Sequence, residues 1–255
     1  MIRYVANGHL SLAVETWGQG PRRLLFAHGW ISGRRMWYDV AARLDAARYT
    51  VHLMDFRGAG LSDRPLEGHD LDGYASDLRA VVEAVRPDVL VAHSMGAKVA
   101  QYVAATGALA LDRLVLVAPG SARAYAMSPK HRALAEAAFG SRARIERFQR
   151  AAMARVVAPE VMDRIVTDAL VSQREAWFGW YDNGRSADFS DRVRAIRVPV
   201  VAVAGEKDPL APPARVKRDV ADAIDGALFV ELRGAGHNLP VETPDEIAGI
   251  IARVA

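Results

Sequence analysis

The 255-residue chain contains no cysteine. That excludes a disulfide framework, a thiolate metal site and a cysteine nucleophile. No stretch approaches the roughly 20 consecutive apolar residues of a membrane span. The opening Met1-Ile2-Arg3-Tyr4-Val5-Ala6-Asn7-Gly8 has no secretory apolar core. A cytoplasmic setting and no membrane partner are therefore expected. Lysine is scarce, present only as Lys98, Lys130, Lys207 and Lys217, so arginine carries nearly all the positive charge of a chain with formal net charge +3. The arginines are scattered among acids. Their densest run, Arg142, Arg144, Arg147, Arg150 and Arg155, is interleaved with Ile145, Phe148, Ala151 and Ala152. That spacing predicts an amphipathic helix with a solvated basic face. No stacking-aromatic motif or binding module accompanies it, so no nucleic-acid partner is expected.

What is present centres on Val89-Leu90-Val91-Ala92-His93-Ser94-Met95-Gly96-Ala97. An apolar run stops at a serine, and a helix-compatible stretch begins at once. Ala92 and Gly96, two positions away on each side, are small. A serine raised onto a strained strand-to-helix turn presses those neighbours against adjacent backbone, so they must be small. The helix behind it directs its N-terminal N–H groups toward the serine. The stretch reads as a nucleophile elbow of the Gly-x-Ser-x-Gly type with Ala92 in place of the first glycine. The competing reading is a buried turn with an incidental serine.

Around it, short apolar runs alternate with helical spacing. Strands are expected at 3–5, 10–16, 24–27, 50–54, 89–93, 114–117, 198–204 and 228–232. Helices are expected at 71–85, where Pro87 stops the pattern, from Ala97 to about Gly107, at 213–224 and at 244–254. Apolar runs without alternation argue for a parallel sheet covered on both faces. The fold class is therefore α/β, with a mostly parallel, doubly wound sheet. Residues 121–188 contain no strand pattern. Helical patterns there run roughly over 129–139, 141–156, 159–171 and 172–182, which marks a helical insertion between core segments 1–120 and 189–255. Its large apolar residues are Met127, Phe139, Phe148, Met153, Trp177, Phe178, Trp180 and Tyr181. Most should form the insertion's own core, with a minority lining any pocket beneath it. Trp177 and Tyr181 are four apart and share a face; Phe178 and Trp180 point elsewhere.

Chemistry in such sheets sits beyond the C-terminal ends of the strands. His28-Gly29-Trp30, Asp55, Ser94, Asp208 and His237 all fall there. A serine hydroxyl needs an adjacent base, and the base needs an orienting acid. His237 follows a late strand in a glycine-bracketed loop, from which an imidazole can reach the elbow. Asp208, followed by Pro209, precedes it from another strand end. Glu206 is the competing acid, and a helix N-cap is the competing role for Asp208. His28 reads as a buried residue that fixes its loop. Asp55-Phe56-Arg57-Gly58-Ala59-Gly60 is an incomplete dinucleotide fingerprint, better read as a rigid turn with Asp55 and Arg57 in a local polar network.

In its order Ser94, Asp208, His237 the chain resembles the α/β-hydrolase family from end to end. His28-Gly29-Trp30 resembles that family's oxyanion loop, Asp55 to Ser62 its Asp-x-Arg-Gly-x-Gly-x-Ser turn, and Gly205 to Pro209 its acid loop. Gly236-His237 with Glu242 and Pro244 resembles its histidine loop. The resemblance implies that residues 121–188 form a cap. It also implies a serine hydrolase acting on a small or medium ester or lactone, with no metal or organic cofactor. Ser94, His237 and Asp208 would be catalytic, and the N–H groups of Trp30 and Met95 would hold the oxyanion. Trp177, Phe178, Tyr181 and Phe148 are the candidates for the pocket wall. Ser94 argues against the branches with an aspartate nucleophile, the haloalkane dehalogenases and epoxide hydrolases. Asn238 stands where C–C bond hydrolases typically carry tryptophan. Haloperoxidase-type esterases, enol-lactonases and pimeloyl-carrier-protein methyl ester esterases are the remaining branches, and His28-Gly29-Trp30 is nearest the last. A weakly catalytic ligand-binding receptor is the alternative from another class.

Overall fold

The computed structural model describes residues 1–107, 109–125 and 128–255; Met127 lies outside the described residues. Eight strands form one sheet: β1 (Ile2–Asn7), β2 (Leu10–Gly18), β3 (Arg22–Ala27), β4 (Tyr49–Met54), β5 (Val89–His93), β6 (Arg113–Val117), β7 (Val200–Gly205) and β8 (Leu228–Leu232). Their spatial order is β1-β2-β4-β3-β5-β6-β7-β8. The β1–β2 and β2–β4 pairs are antiparallel, and every later pair is parallel.

The uninterrupted apolar runs have a direct cause. Successive side chains of a strand point to opposite faces, and here both faces are covered. Leu25, Ala27, Leu90 and Ala92 join one hydrophobic cluster, while Leu24, Phe26, Val89 and Val91 join another. The first lies under α2 (Leu71–Val85) and α3 (Met95–Thr106); the second lies under α1 (Tyr38–Ala41) and α10 (Pro244–Val254). Asp70 caps α2 by accepting from Gly73 N–H at 2.8 Å. Arg86, in the left-handed region at φ +47°, ends it.

Between β6 and β7 the chain is helical: α4 (Pro129–Ala138), α5 (Arg142–Ala152), α6 (Pro159–Leu170) and α7 (Arg174–Gly179), which runs into a π-helical turn at Trp180–Gly184. A third hydrophobic cluster joins Ile145, Ile165, Trp177 and Tyr181 of this segment to Ile31 and Val241, which lie beyond strand ends of the sheet. The stems of the segment run side by side. Phe189 N–H donates to Ala122 O at 3.1 Å, and Ala124 N–H donates to Asp188 Oδ2 at 2.9 Å. Lys98, fully buried on α3, donates from Nζ to Ala187 O at 2.7 Å and Arg185 O at 3.1 Å. The basic face of α5 is solvated as expected, and Arg142 and Arg150 pair there with Asp163 and Glu146.

The chain closes through α8 (Pro213–Val216), a π-helical turn (Lys217–Ala221), α9 (Leu239–Glu242) and α10. Among the described residues, no helix is long and apolar enough to cross a membrane.

Candidate active site

Ser94 occupies the turn between β5 and α3 with φ +50° and ψ −108°. A positive φ is costly for a residue with a side chain and persists only where the surroundings enforce it. Here Ser94 N–H donates to Val117 O at 3.0 Å, and Ser94 O accepts from Lys98 N–H and Gly120 N–H, both at 3.1 Å. The hydroxyl makes no capping bond to α3. A Cβ at position 96 would lie 2.4 Å from His28 O and 3.1 Å from Ala27 O. That close approach of α3 to the end of β3 is the reason position 96 must be glycine.

His237 lies across from the serine, its Nε2 3.0 Å from Ser94 Oγ and its Nδ1 2.7 Å from Asp208 Oδ2. Asp208 is buried, and its Oδ1 accepts from Leu210 N–H at 2.7 Å and Ala211 N–H at 2.8 Å. Burial alone would raise this carboxyl. The charge and hydrogen bond of His237 and the two backbone donors outweigh it and hold Asp208 below the usual carboxylate range. An ionised Asp208 accepts from Nδ1–H, which leaves Nε2 free to accept from the Ser94 hydroxyl. The acid is thus both the partner of His237 and the cap of its own turn. Glu206 instead accepts from Gly234 N–H at 2.6 Å.

Two groups without an assigned role in the sequence fix the histidine loop. His93 Nε2–H donates to His237 O at 2.9 Å. Burial, reinforced by the charge of His237, pushes His93 down to about 3, so it is neutral near pH 7. Its position as the last residue of a buried strand, next to the serine, was the available signal. Glu242 accepts four backbone N–H bonds at 2.8 to 2.9 Å: Oε2 from Gly236, Ala154 and Arg155, and Oε1 from Asn238. Ala152 O accepts from His237 N–H at 2.8 Å.

His28 is fully buried, and burial first of all lowers its pKa. Its Nδ1–H donates to Gly29 O at 2.7 Å, and its Nε2 accepts from Phe56 N–H at 3.0 Å. It ties the loop after β3 to the turn after β4. Asp55 and Arg57 enter separate buried ion pairs, with Arg34 at 2.6 Å and Asp77 at 2.6 Å. Neither Trp30 nor Met95 donates its backbone N–H to another described residue.

A cavity of about 860 Å³, its open mouth included, opens beside Ser94 and His237. Its wall is largely apolar, with Trp30, Met36, Phe148, Ile165, Trp180 and Val241, and it includes the polar side chains of Gln149, Asn238 and Arg185. Of the four aromatic residues expected in the wall, Phe148 lines it. Trp177 instead lines a smaller cavity beside it, with Trp30, Ile31 and Met95, and Phe178 and Tyr181 line neither. Trp177 and Tyr181 do share a face, but that face packs against the Trp30 ring, at 5.4 Å and 4.4 Å between centroids. Phe178 packs at a tilt against Phe139, 5.6 Å between ring centroids, under the Arg174 guanidinium. Trp180, expected to point elsewhere, lines the cavity. Helical spacing tells which side chains share a face and not what that face meets, and the π-helical turn breaks the 3.6-residue spacing here. Among the described residues, no group of three or more His, Asp or Glu is placed to hold a metal ion.

A family model described as "Alpha/beta hydrolase family" matches residues 24–250. The chain belongs to that family. The hydrolase is 27% identical to the AB hydrolase superfamily protein YisY of Bacillus subtilis (strain 168), over 96% of this chain and 95% of that protein. It superposes on an esterase from Exiguobacterium antarcticum with TM-score 0.90 and 20% identity, covering 99% of this chain and 98% of the other. It superposes on the enol-lactonase from Burkholderia xenovorans LB400 with TM-score 0.84 and 22% identity, covering 99% of each. At those identities the likeness establishes a common fold.

Proposed function

We propose that this hydrolase cleaves small to medium carboxylic esters or lactones through an acyl-enzyme on Ser94. The observation that carries the reading is the unbroken line from Ser94 Oγ through His237 to Asp208, at 3.0 and 2.7 Å, opening on a largely apolar cavity. Ser94 Oγ attacks the substrate carbonyl carbon while His237 Nε2 takes its proton. Asp208 holds Nδ1–H and stabilises the imidazolium. The tetrahedral oxyanion sits between the N–H groups of Trp30 and Met95; each such donor contributes on the order of 3 kcal/mol to the transition state. Collapse expels the leaving alkoxide, which takes the proton from Nε2. Water then gives a proton to His237 and attacks the acyl carbon, and Ser94 Oγ departs with that proton.

In this reading residues 121–188 form a cap over a hydrolase core made of 1–120 and 189–255. Phe148 and Trp180 of the cap, with Trp30 of the core, favour an apolar acyl part. The esterase and the enol-lactonase that share the fold support this substrate class. The test combines a serine-directed organophosphonate with an acyl-length series of p-nitrophenyl esters. The expected result is mass added at Ser94 and turnover that Ser94→Ala abolishes with little change in Tm. Turnover retained by Ser94→Ala would overturn the assignment of the nucleophile.

A further inference from the structure

One charged side chain of the cavity takes no part in this chemistry. Arg185 follows the π-helical turn and lines the same cavity as Ser94. Its backbone is held on both sides. Its N–H donates to Trp180 O at 3.0 Å, and its carbonyl accepts from Lys98 Nζ at 3.1 Å. The guanidinium lies over the Tyr125 ring at 4.2 Å from the centroid. No carboxylate lies within ion-pair distance of it among the described residues, and the three undescribed ones, Ala108, Ala126 and Met127, carry none. Among the described residues its buried Nε has no hydrogen-bond partner. The other arginine stacked on Tyr125, Arg215, is occupied by Leu210 O. Lys98 is committed to backbone carbonyls on the stems, with Asp188 as the nearby acid.

We propose that Arg185 is a specificity determinant for a substrate with a carboxylate remote from the scissile bond. This rests on the serine hydrolase reading of the same site and names its substrate class, a half-ester of a dicarboxylic acid or a carboxylated lactone. The physical argument has two parts. An unpaired guanidinium at a largely apolar wall has given up part of its hydration without a counter-ion, so an anionic ligand group recovers that loss. Stacking on Tyr125 also fixes the plane of the fork, which lowers the entropy lost on bidentate binding. A charge-assisted contact of this kind gives a preference of about 10- to 150-fold.

The test compares mono-p-nitrophenyl glutarate with p-nitrophenyl 5-methylhexanoate, which replaces the carboxylate by an isopropyl group of similar shape. A second pair carries the charge on the other side: 3-carboxyphenyl butyrate against 3-methylphenyl butyrate. The readout is the ratio of kcat/KM, anionic to neutral. The expected ratio is at least tenfold in one pair, falling to near one in Arg185→Gln and partly retained in Arg185→Lys. Ratios near one in both pairs, or a preference that survives Arg185→Gln, overturn the proposal while leaving the serine hydrolase reading intact. If no ester is turned over, that reading fails, and the anion site is judged by binding alone. Quenching of Trp30 and Trp180 fluorescence by glutaramate against 5-methylhexanamide then decides, with at least tenfold tighter binding of the acid, lost in Arg185→Gln, as the supporting result. Equal binding overturns it.

Discussion

Gly96→Ala and Gly249→Ala are the same substitution in two helices, and the structure gives them opposite signs. In an open helix, alanine is favoured over glycine by up to about 1 kcal/mol. Gly249 lies within α10, and a Cβ there would find only Arg253 Nη1, at 3.7 Å. Gly249→Ala should therefore stabilise the fold by some tenths to about 1 kcal/mol. At position 96 the added carbon would sit 2.4 Å from His28 O. Opening that contact to even 3.0 Å moves α3 away from β3 by roughly 0.6 Å, against a close-packed interior. Overpacking of this kind costs about 1–3 kcal/mol, which exceeds the helix-propensity gain. The same movement separates Met95 N–H from Trp30 N–H and shifts Ser94 against His237, so kcat should fall by about 10- to 100-fold. Urea denaturation at pH 7 reads the first effect and p-nitrophenyl ester hydrolysis the second. A Gly96→Ala protein with the parent's midpoint and kcat would refute the packing argument for the elbow.

Asp208→Asn should leave the turn intact, because the amide oxygen can still accept from Leu210 and Ala211, yet favour the wrong tautomer of His237. Ester hydrolysis should drop by about 10⁴-fold with a small change in Tm; a loss under tenfold would contradict the role of Asp208. His93 is held neutral in the fold down to about pH 3, whereas the unfolded chain protonates it near 6.5. The unfolded state therefore binds the extra proton in that window, and stability falls as pH drops from 6.5 toward 3, by on the order of 5 kcal/mol from this group. His93→Gln should show a shallower acid slope in denaturant midpoints between pH 7 and 4.5; an unchanged slope would refute the burial argument. Burial pushes Lys98 down to about 8 from its ordinary 10.5. Between those values the unfolded chain binds the extra proton, so stability rises with pH, by on the order of 3 kcal/mol in all. Lys98→Met should remove that rise when urea stabilities at pH 7, 8.5 and 10 are compared with the parent; a rise that persists in the variant would refute it.

Legibility in the sequence followed the locality of each signal. The bounds of α2 and α10 match the expected 71–85 and 244–254, because a cap, a proline and a full apolar period mark them without help from the tertiary structure. β3 begins at Arg22 rather than Leu24, since its pairing with Tyr49 and Thr50 continues past the apolar run. The helix expected to reach 156 stops at Ala152, where the next residues turn to meet Glu242 on a distant element. The helix expected over 213–224 passes into a π-helical turn after Val216. Ser94, Asp208 and His237 could be found singly because each ends a strand or its loop. The pocket wall could not, because which face of α7 meets Trp30 and which meets the cavity depends on packing between elements far apart in the chain.

The same distant contacts constrain how the helical segment can move. Its stems are pinned by Lys98 on one side of the sheet's open end. Asp168 of α6 is bound to Arg35 through two guanidinium nitrogens, and Arg164 of the same helix reaches Asp39. The end of α5 is bound to the histidine loop three times, through Ala152 O, through Glu242 and through the Asn238 Nδ2 donor to Gln149 Oε1 at 2.9 Å. A Cβ at position 236 would lie 2.6 Å from both Ala152 O and Ala154 N, so the two backbones are in direct contact. Swinging α5 outward would therefore pull on the backbone of His237 and lengthen the 3.0 Å contact to Ser94 Oγ. An arrangement that needs this contact for proton transfer gains from keeping α5 fixed. Among the described residues, the side of the cavity near Tyr125 and Arg185 carries no comparable tie to the histidine loop, so access to Ser94 there leaves the contact between His237 and Ser94 undisturbed.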